Sequence, residues 1–261
     1  MYVDKLHILV LGCIIQARMG SSRLPGKVMM KPDGNNPIVF HVVKQLQHCK
    51  LLDKIVVATT NLPEDDQLSN FISNMGSLIF RGSSDDVLDR YYQCAKQFSF
   101  SDIVRITSDN PLIDPTIVDL VVGRYLEGKF DYVTNSFPRT FPQGTETEVF
   151  SFRILENVWK NAKKPLEREH VTPYIYNNPD KFKISNVNYS ENLSHLRWTV
   201  DRENDFKLVQ NLFRKIKNRP ILMKDILKLF EKEPNLKKIN EDYVLNEGYL
   251  KSLNDEKLHY K

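Results

Sequence analysis

Residues 15–27, Ile-Gln-Ala-Arg-Met-Gly-Ser-Ser-Arg-Leu-Pro-Gly-Lys, place three permanent cations on a stretch of small residues. The cations are Arg18, Arg23 and Lys27. Gly20, Ser21 and Ser22 let the backbone approach a ligand and leave N–H groups to donate. The Arg and Lys side chains neutralise charge, so the stretch suits a polyphosphate. It is not a Walker loop, because Gly-x-x-x-x-Gly-Lys-Ser/Thr is absent. Alone, such a stretch is also compatible with a solvated basic turn.

Two acidic segments complement it. The first runs from Arg105 to Pro115 and carries Asp109, which follows a β-branched run. A carboxylate at a strand end can hold Mg²⁺, which takes a few carboxylates together with phosphate oxygens and water. A turn or helix N-cap is the other use of such an Asp, and it suits Asp114-Pro115 better than Asp109. The second segment, Trp198-Thr-Val-Asp-Arg-Glu-Asn-Asp205, carries Asp201 where an extended stretch gives way to a helix. An N-cap alone would also explain Asp201. Taken together, one basic loop and two strand-end aspartates point to metal-assisted nucleotidyl transfer. The cations hold a triphosphate, and Mg²⁺ between Asp109 and Asp201 bridges the α-phosphate and the attacking group.

The elements that must position these residues alternate. Residues 8–15 read as a buried strand, and 37–50 as a helix with Ile38, Val42 and Leu46 on one face. Strands are predicted over 54–59, 78–80, 102–107 and 130–134, and helices over 64–75, 85–98 and 115–126. This βαβ rhythm predicts a doubly wound, mostly parallel Rossmann-like sheet with ligand loops at the strands' C-terminal ends. Residues 147–152 alternate as an antiparallel strand, 167–176 read as a helix despite Pro173, and 182–188 and 196–200 read as extended. They suggest a small β-rich insertion. Two amphipathic C-terminal helices follow over 203–218 and 221–231, and the last ~20 residues are polar enough to fray.

The 261 residues suffice for one large α/β domain, and no linker divides them. Cys13, Cys49 and Cys94 show neither metal-ligand spacing nor a disulfide framework, which fits a reducing cytoplasm. No apolar stretch approaches the roughly 20 residues that span a bilayer. The N-terminal apolar run lacks a cleavage-site pattern and leads directly into the basic loop, so it reads as the first strand. The net charge of +4 does not indicate nucleic acid. From Phe206 onward there are 13 Lys/Arg against 8 Asp/Glu, interleaved with leucines, which reads as solvated helix faces.

The segment from Gln16 to Lys27 resembles the signature of the sugar-acid cytidylyltransferases, which make CMP-sialic acid and CMP-3-deoxy-manno-octulosonate. The closer resemblance is to the SpsF-like spore-coat polysaccharide cytidylyltransferases. It rests on residues 80–91 (Phe-Arg-Gly-Ser-Ser-Asp-Asp-Val-Leu-Asp-Arg-Tyr), 105–115, 148–152 and 168–174 in order and spacing, and covers roughly residues 8–215. Five agreeing motifs make it specific. The resemblance implies a fold of the nucleotide-diphospho-sugar transferase type. It implies one domain, with a nucleotide part at about 6–136, an acceptor and dimer part at about 137–200, and C-terminal helices at about 201–261.

Arg18 and Lys27 would then contact the CTP phosphates, supported by Arg23, Ser21 and Ser22. Gln16, Ala17, Gly20 and Thr107 complete that nucleotide-binding set. Thr59, Thr60, Ser83 and Ser84 would lie near cytosine and ribose, and Asp109 and Asp201 would bind Mg²⁺. The implied reaction joins CTP and a sugar acid into a CMP-sugar and pyrophosphate, for surface-glycan assembly, in a cytoplasmic homodimer.

Gln16 stands where the sialic-acid and octulosonate enzymes carry Pro, and Thr145-Glu-Thr-Glu148 replaces the Leu-Asp-Val-Glu of the spore-coat group. Charge density marks residues 139–174 as the acceptor region. Its candidates are Arg139, Glu146, Glu148, Arg168 and His170, together with Arg105. An arginine pair would clamp an acidic group, a Glu would accept hydroxyl hydrogen bonds, and His170 is the candidate general base. A sugar-phosphate or polyol-phosphate acceptor remains the nearest alternative. A nucleotide-sugar-dependent glycosyltransferase is a third reading, which the triphosphate-gripping loop disfavours.

Overall fold

The first strand, β1 (Leu11–Gln16), is apolar almost throughout, as a strand covered on both faces must be. The computed structural model describes residues 9–243, 247, 249–250 and 252–254. The strand predicted over 8–15 begins three residues later and ends one residue later, and position 8 lies outside the described residues. Parallel β2 (Lys54–Thr60) and β4 (Asp102–Thr107) flank β1, and β3 (Leu78–Gly82) extends the sheet beyond β2. On the other side β6 (Glu148–Ser151) runs antiparallel to both β4 and β5 (Tyr132–Thr134). Strand β7 (Ile184–Asn186) lies parallel to β5, giving the order β3-β2-β1-β4-β6-β5-β7.

Between successive strands lie α1 (Ile38–Leu46), α2 (Asp66–Asn74), α3 (Val87–Gln97) and α4 (Pro115–Leu126). After β6 come α5 (Phe152–Asn161), α6 (Pro165–His170) and α7 (Pro173–Tyr176), and after β7 come α8 (Glu203–Lys215) and α9 (Met223–Lys232). Alternation along the strands splits the core into two layers. Cys13, Ile15, Val57 and Val104 pack with Ile38, Val42, Val118, Leu208 and Ile226 on one face. Ile14, Val56, Ala58 and Ile103 pack with Leu88, Tyr91, Ile154 and Leu155 on the other. The sheet is thus doubly wound and mostly parallel. Among the described residues no helix is long and apolar enough to cross a membrane.

Three readings of the second half change. Residues 137–200 hold three short helices besides β6 and β7, and α5 was not foreseen. Its start is set by Ser151, whose hydroxyl accepts the Ile154 N–H at 3.2 Å and ends β6. The helix predicted over 167–176 is two helices. Val171 adopts a left-handed φ of 72° between them, and Pro173 has no N–H with which to continue the ladder. The stretch 196–200 is extended, but only Arg197 forms a bridge, to Gln143. Most of the fraying predicted for the last ~20 residues concerns positions outside the described residues.

Candidate active site

Gln16 and Thr107 are register partners on β1 and β4, so the segments that follow them leave the sheet side by side. This is the C-terminal edge, where doubly wound sheets bind ligands. The basic loop is pinned from both sides. Ala17 N–H donates to the Ala58 carbonyl at 3.1 Å, and Met19 N–H donates to Asp65 at 2.6 Å. Asp65 also accepts from the Thr60 hydroxyl and N–H at the end of β2. Gly26, at φ 69°, turns the chain so that Lys27 starts a short 3₁₀ helix; only glycine adopts this freely.

Lys27 is the centre of the site. Its ammonium donates to Asp109 at 3.1 Å, to Asp201 at 2.9 Å and to the Val200 carbonyl at 2.8 Å. The two sequence-predicted carboxylates, 92 positions apart, therefore converge on one point. The backbone links them as well, because Val200 N–H donates to the Asp109 carbonyl at 2.8 Å. Burial opposes the Lys27 charge, but Asp109 and Asp201 outweigh it and raise its pKa. Burial likewise opposes ionisation of Asp201, yet Lys27, Arg23 and Arg197 hold its carboxyl well below the usual range. Arg23 donates to Asp201 at 2.5 Å, and Arg197 to its other oxygen at 2.7 Å. Thr107 fixes Asp109 through a 2.5 Å hydrogen bond.

Among the described residues no cluster of three or more His, Cys, Asp or Glu side chains is arranged to hold a metal. Two convergent carboxylates beside the basic loop are nonetheless the kind of donor set Mg²⁺ takes when phosphate oxygens and water complete its shell. The residues present fit that ion, and Lys27 occupies the same point.

These groups line an open cavity of about 1110 Å³. Of the predicted residues, Gln16, Ala17, Arg18, Ser21, Ser22 and Arg23 face it from the loop, and Lys27, Thr107, Asp109, His170 and Asp201 complete the set. Burial depresses the His170 pKa below its ordinary value against the pull of Glu169, and its Nε2 lies 3.0 Å from the Ser252 hydroxyl. Other predicted residues do not line the cavity. Thr59 and Thr60 are buried, and Thr60 serves the Asp65 pin. Ser83 caps Asp86 N–H at 3.1 Å, and Ser84 donates to Asp85 at 2.9 Å. Gly20 is exposed, and a Cβ there would lie 2.8 Å from the carboxylate end of the Glu64 side chain.

The acceptor candidates outside the wall are already paired. Arg105 and Glu148 are cross-strand partners on β4 and β6 and form a buried ion pair, with Tyr132 and Thr172 also donating to Glu148. Arg105 reaches the site only through Gln16, at 3.0 Å. Arg139 pairs with Glu146, which also accepts Gly144 N–H at 2.9 Å. Arg168 holds Asp86 and the Trp159 carbonyl. The two arginines read as a clamp therefore serve separate ion pairs. Sequence reasoning missed Arg90, Ser108, Glu247 and Ser252 on the wall. Glu247 and Ser252 come from the far C-terminus, where no local pattern marks them.

A family model described as cytidylyltransferase matches residues 12–250. The chain belongs to the cytidylyltransferase family. The spore coat polysaccharide biosynthesis protein SpsF of Bacillus subtilis is 33% identical over 230 residues, covering 85% of this chain and 94% of that protein. A 3-deoxy-manno-octulosonate cytidylyltransferase of Anaeromyxobacter is 27% identical over 179 residues, 62% of this chain and 72% of that one. A solved cytidylyltransferase structure from Leptospira borgpetersenii superposes with a TM-score of 0.84 at 33% identity, covering 91% of this chain and 99% of that one. This SpsF-like cytidylyltransferase thus carries its matched region across both the basic loop and the two aspartates.

Proposed function

We propose that this cytidylyltransferase transfers CMP from CTP to a sugar acid, with Mg²⁺, releasing pyrophosphate and supplying CMP-sugar for surface polysaccharide. One observation carries the reading: Lys27, Asp109 and Asp201 meet at one point beside the loop, in a cavity of about 1110 Å³. An acceptor oxygen attacks the α-phosphorus, the bond to the β-phosphate oxygen breaks, and pyrophosphate leaves. Mg²⁺ held by Asp109 and Asp201 would supply charge neutralisation at the α-phosphate. Arg18, Ser21 and Ser22 bind the phosphates, and Lys27 turns from the carboxylates to the outer phosphates. No covalent nucleophile is required. His170, on the same wall, would accept the acceptor's proton in this reading. The printed names of the two curated relatives support the acidic-sugar acceptor and the polysaccharide role.

Lys27→Ala should weaken CTP binding about tenfold or more while changing CMP binding less, since a charge-assisted hydrogen bond is worth about 1.5–3 kcal/mol. Calorimetry with both nucleotides checks this. Equal losses would move Lys27 away from the outer phosphates. We also propose a homodimer, by family resemblance. Light scattering at micromolar concentration should give twice the 30.5 kDa chain mass, and a monomer mass would refute it.

A further inference from the structure

Among the described residues two arginines lie below one-tenth exposure, Arg90 and Arg197. Arg197 is held by Asp201 and Asp205. The guanidinium of Arg105, whose side chain is 14% exposed, is likewise held by Glu148.

 Of these three enclosed guanidinium groups, then, two have carboxylate partners. Arg90 is the exception. It is 1% exposed and faces the cavity from the first turn of α3. Nη1 donates to the Ser83 carbonyl at 2.8 Å, but its buried Nε–H meets no acceptor. No carboxylate among the described residues forms an ion pair with it. Asp65 and Asp86, which act on it from further off, are engaged by Thr60 and Arg168.

A guanidinium does not shed its charge at physiological pH, so burial without a counter-ion is costly. Burial presses on the Arg90 charge, and Arg18 on the phosphate loop adds like-charge repulsion. Arg18 also lacks a carboxylate partner among the described residues, whereas Arg23 and Lys27 are tied to Asp109 and Asp201. The cavity is therefore faced by two neighbouring cations that form no ion pair with a carboxylate among the described residues. We propose that Arg90 shares with Arg18 a phosphate oxyanion of bound CTP, forming a second cationic pole beside that of Lys27. This rests on the cytidylyl-transfer reading and adds a phosphate-holding residue to it.

Calorimetry on the full chain with CTP, pyrophosphate and cytidine tests it, using Arg90→Met and Arg90→Lys. Arg90→Met should weaken CTP and pyrophosphate binding about tenfold or more and leave cytidine unchanged, since cytidine has no phosphate. Arg90→Lys keeps the charge and should recover part of the loss. The melting temperature of ligand-free Arg90→Met should not fall, because an unpaired buried charge is removed. A fall in melting temperature with unchanged CTP affinity would make Arg90 structural and overturn the proposal. Unchanged CTP affinity with a raised acceptor KM would overturn it too, by placing Arg90 on the acceptor. Wild-type protein that binds neither CTP nor pyrophosphate would instead remove the underlying reading.

Discussion

Asp201→Asn and Asp109→Asn are each expected to lower turnover by about a hundredfold to a thousandfold, the usual loss for a preorganised electrostatic group. Asp201 is the more crowded of the two. One oxygen accepts from Lys27 and Arg23, and the other from Arg197. An amide in its place would turn a donor toward at least one of these cations and remove the negative charge that balances them. The Mg²⁺ shell we propose would lose a ligand at the same time. Asp109→Asn removes a charge without disturbing Arg197, so its stability should be closer to wild type. Steady-state kinetics with saturating CTP, alongside thermal melts, separates lost chemistry from lost folding. Near-normal turnover in either variant would take that residue out of the metal site.

The largest stability effect is expected at Glu148. Its carboxylate is buried and accepts from Arg105, Tyr132 and Thr172 at the junction of β4, β5 and β6. Burial opposes the Arg105 charge, and Glu148 overcomes that and raises its pKa. Glu148→Gln leaves Arg105 enclosed without a counter-charge. Breaking a buried pair from one side costs about 3–5 kcal/mol, a large part of the roughly 5–15 kcal/mol that holds a domain folded. Urea unfolding should show a clear drop in midpoint. The double variant Arg105→Met/Glu148→Leu should recover much of it, because an apolar pair replaces the ion pair without an orphaned charge. A double variant no more stable than Glu148→Gln would show that the hydrogen bonds to Glu148, not its charge, dominate.

The parallel half of the sheet was legible because its strands are short apolar runs and its helices show a 3.6-residue period. The loop at 15–27 and the aspartates at 109 and 201 stood out because cations among small residues and strand-end carboxylates are types that phosphate and metal chemistry uses. That the two aspartates share a site was an expectation from strand ends, whereas their common contact with Lys27 was not foreseen; the register of Gln16 with Thr107 explains how the loop and Asp109 come together. The acceptor region was harder to read. Arg105, Glu148 and Arg168 carry the charges a sugar acid would need, but sequence shows charge and not pairing; each is occupied by a partner distant in sequence. Arg90 has the opposite history. The sequence reading assigned it no role, and its burial with no carboxylate ion pair among the described residues sets it apart. Helix α5 was hidden because Ser151 ends a strand and caps a helix at the same residue.

The central claim is cytidylyl transfer to an acidic sugar, and pyrophosphate release tests it most directly. The protein would be incubated with Mg²⁺, each of the four NTPs in turn, and acceptors pairing 2-keto-3-deoxy sugar acids with sugar and polyol phosphates. The expected result is release with CTP and a sugar acid, abolished by EDTA and absent with ATP, GTP or UTP. Release only with a phosphorylated acceptor, or with an NTP other than CTP, would contradict it.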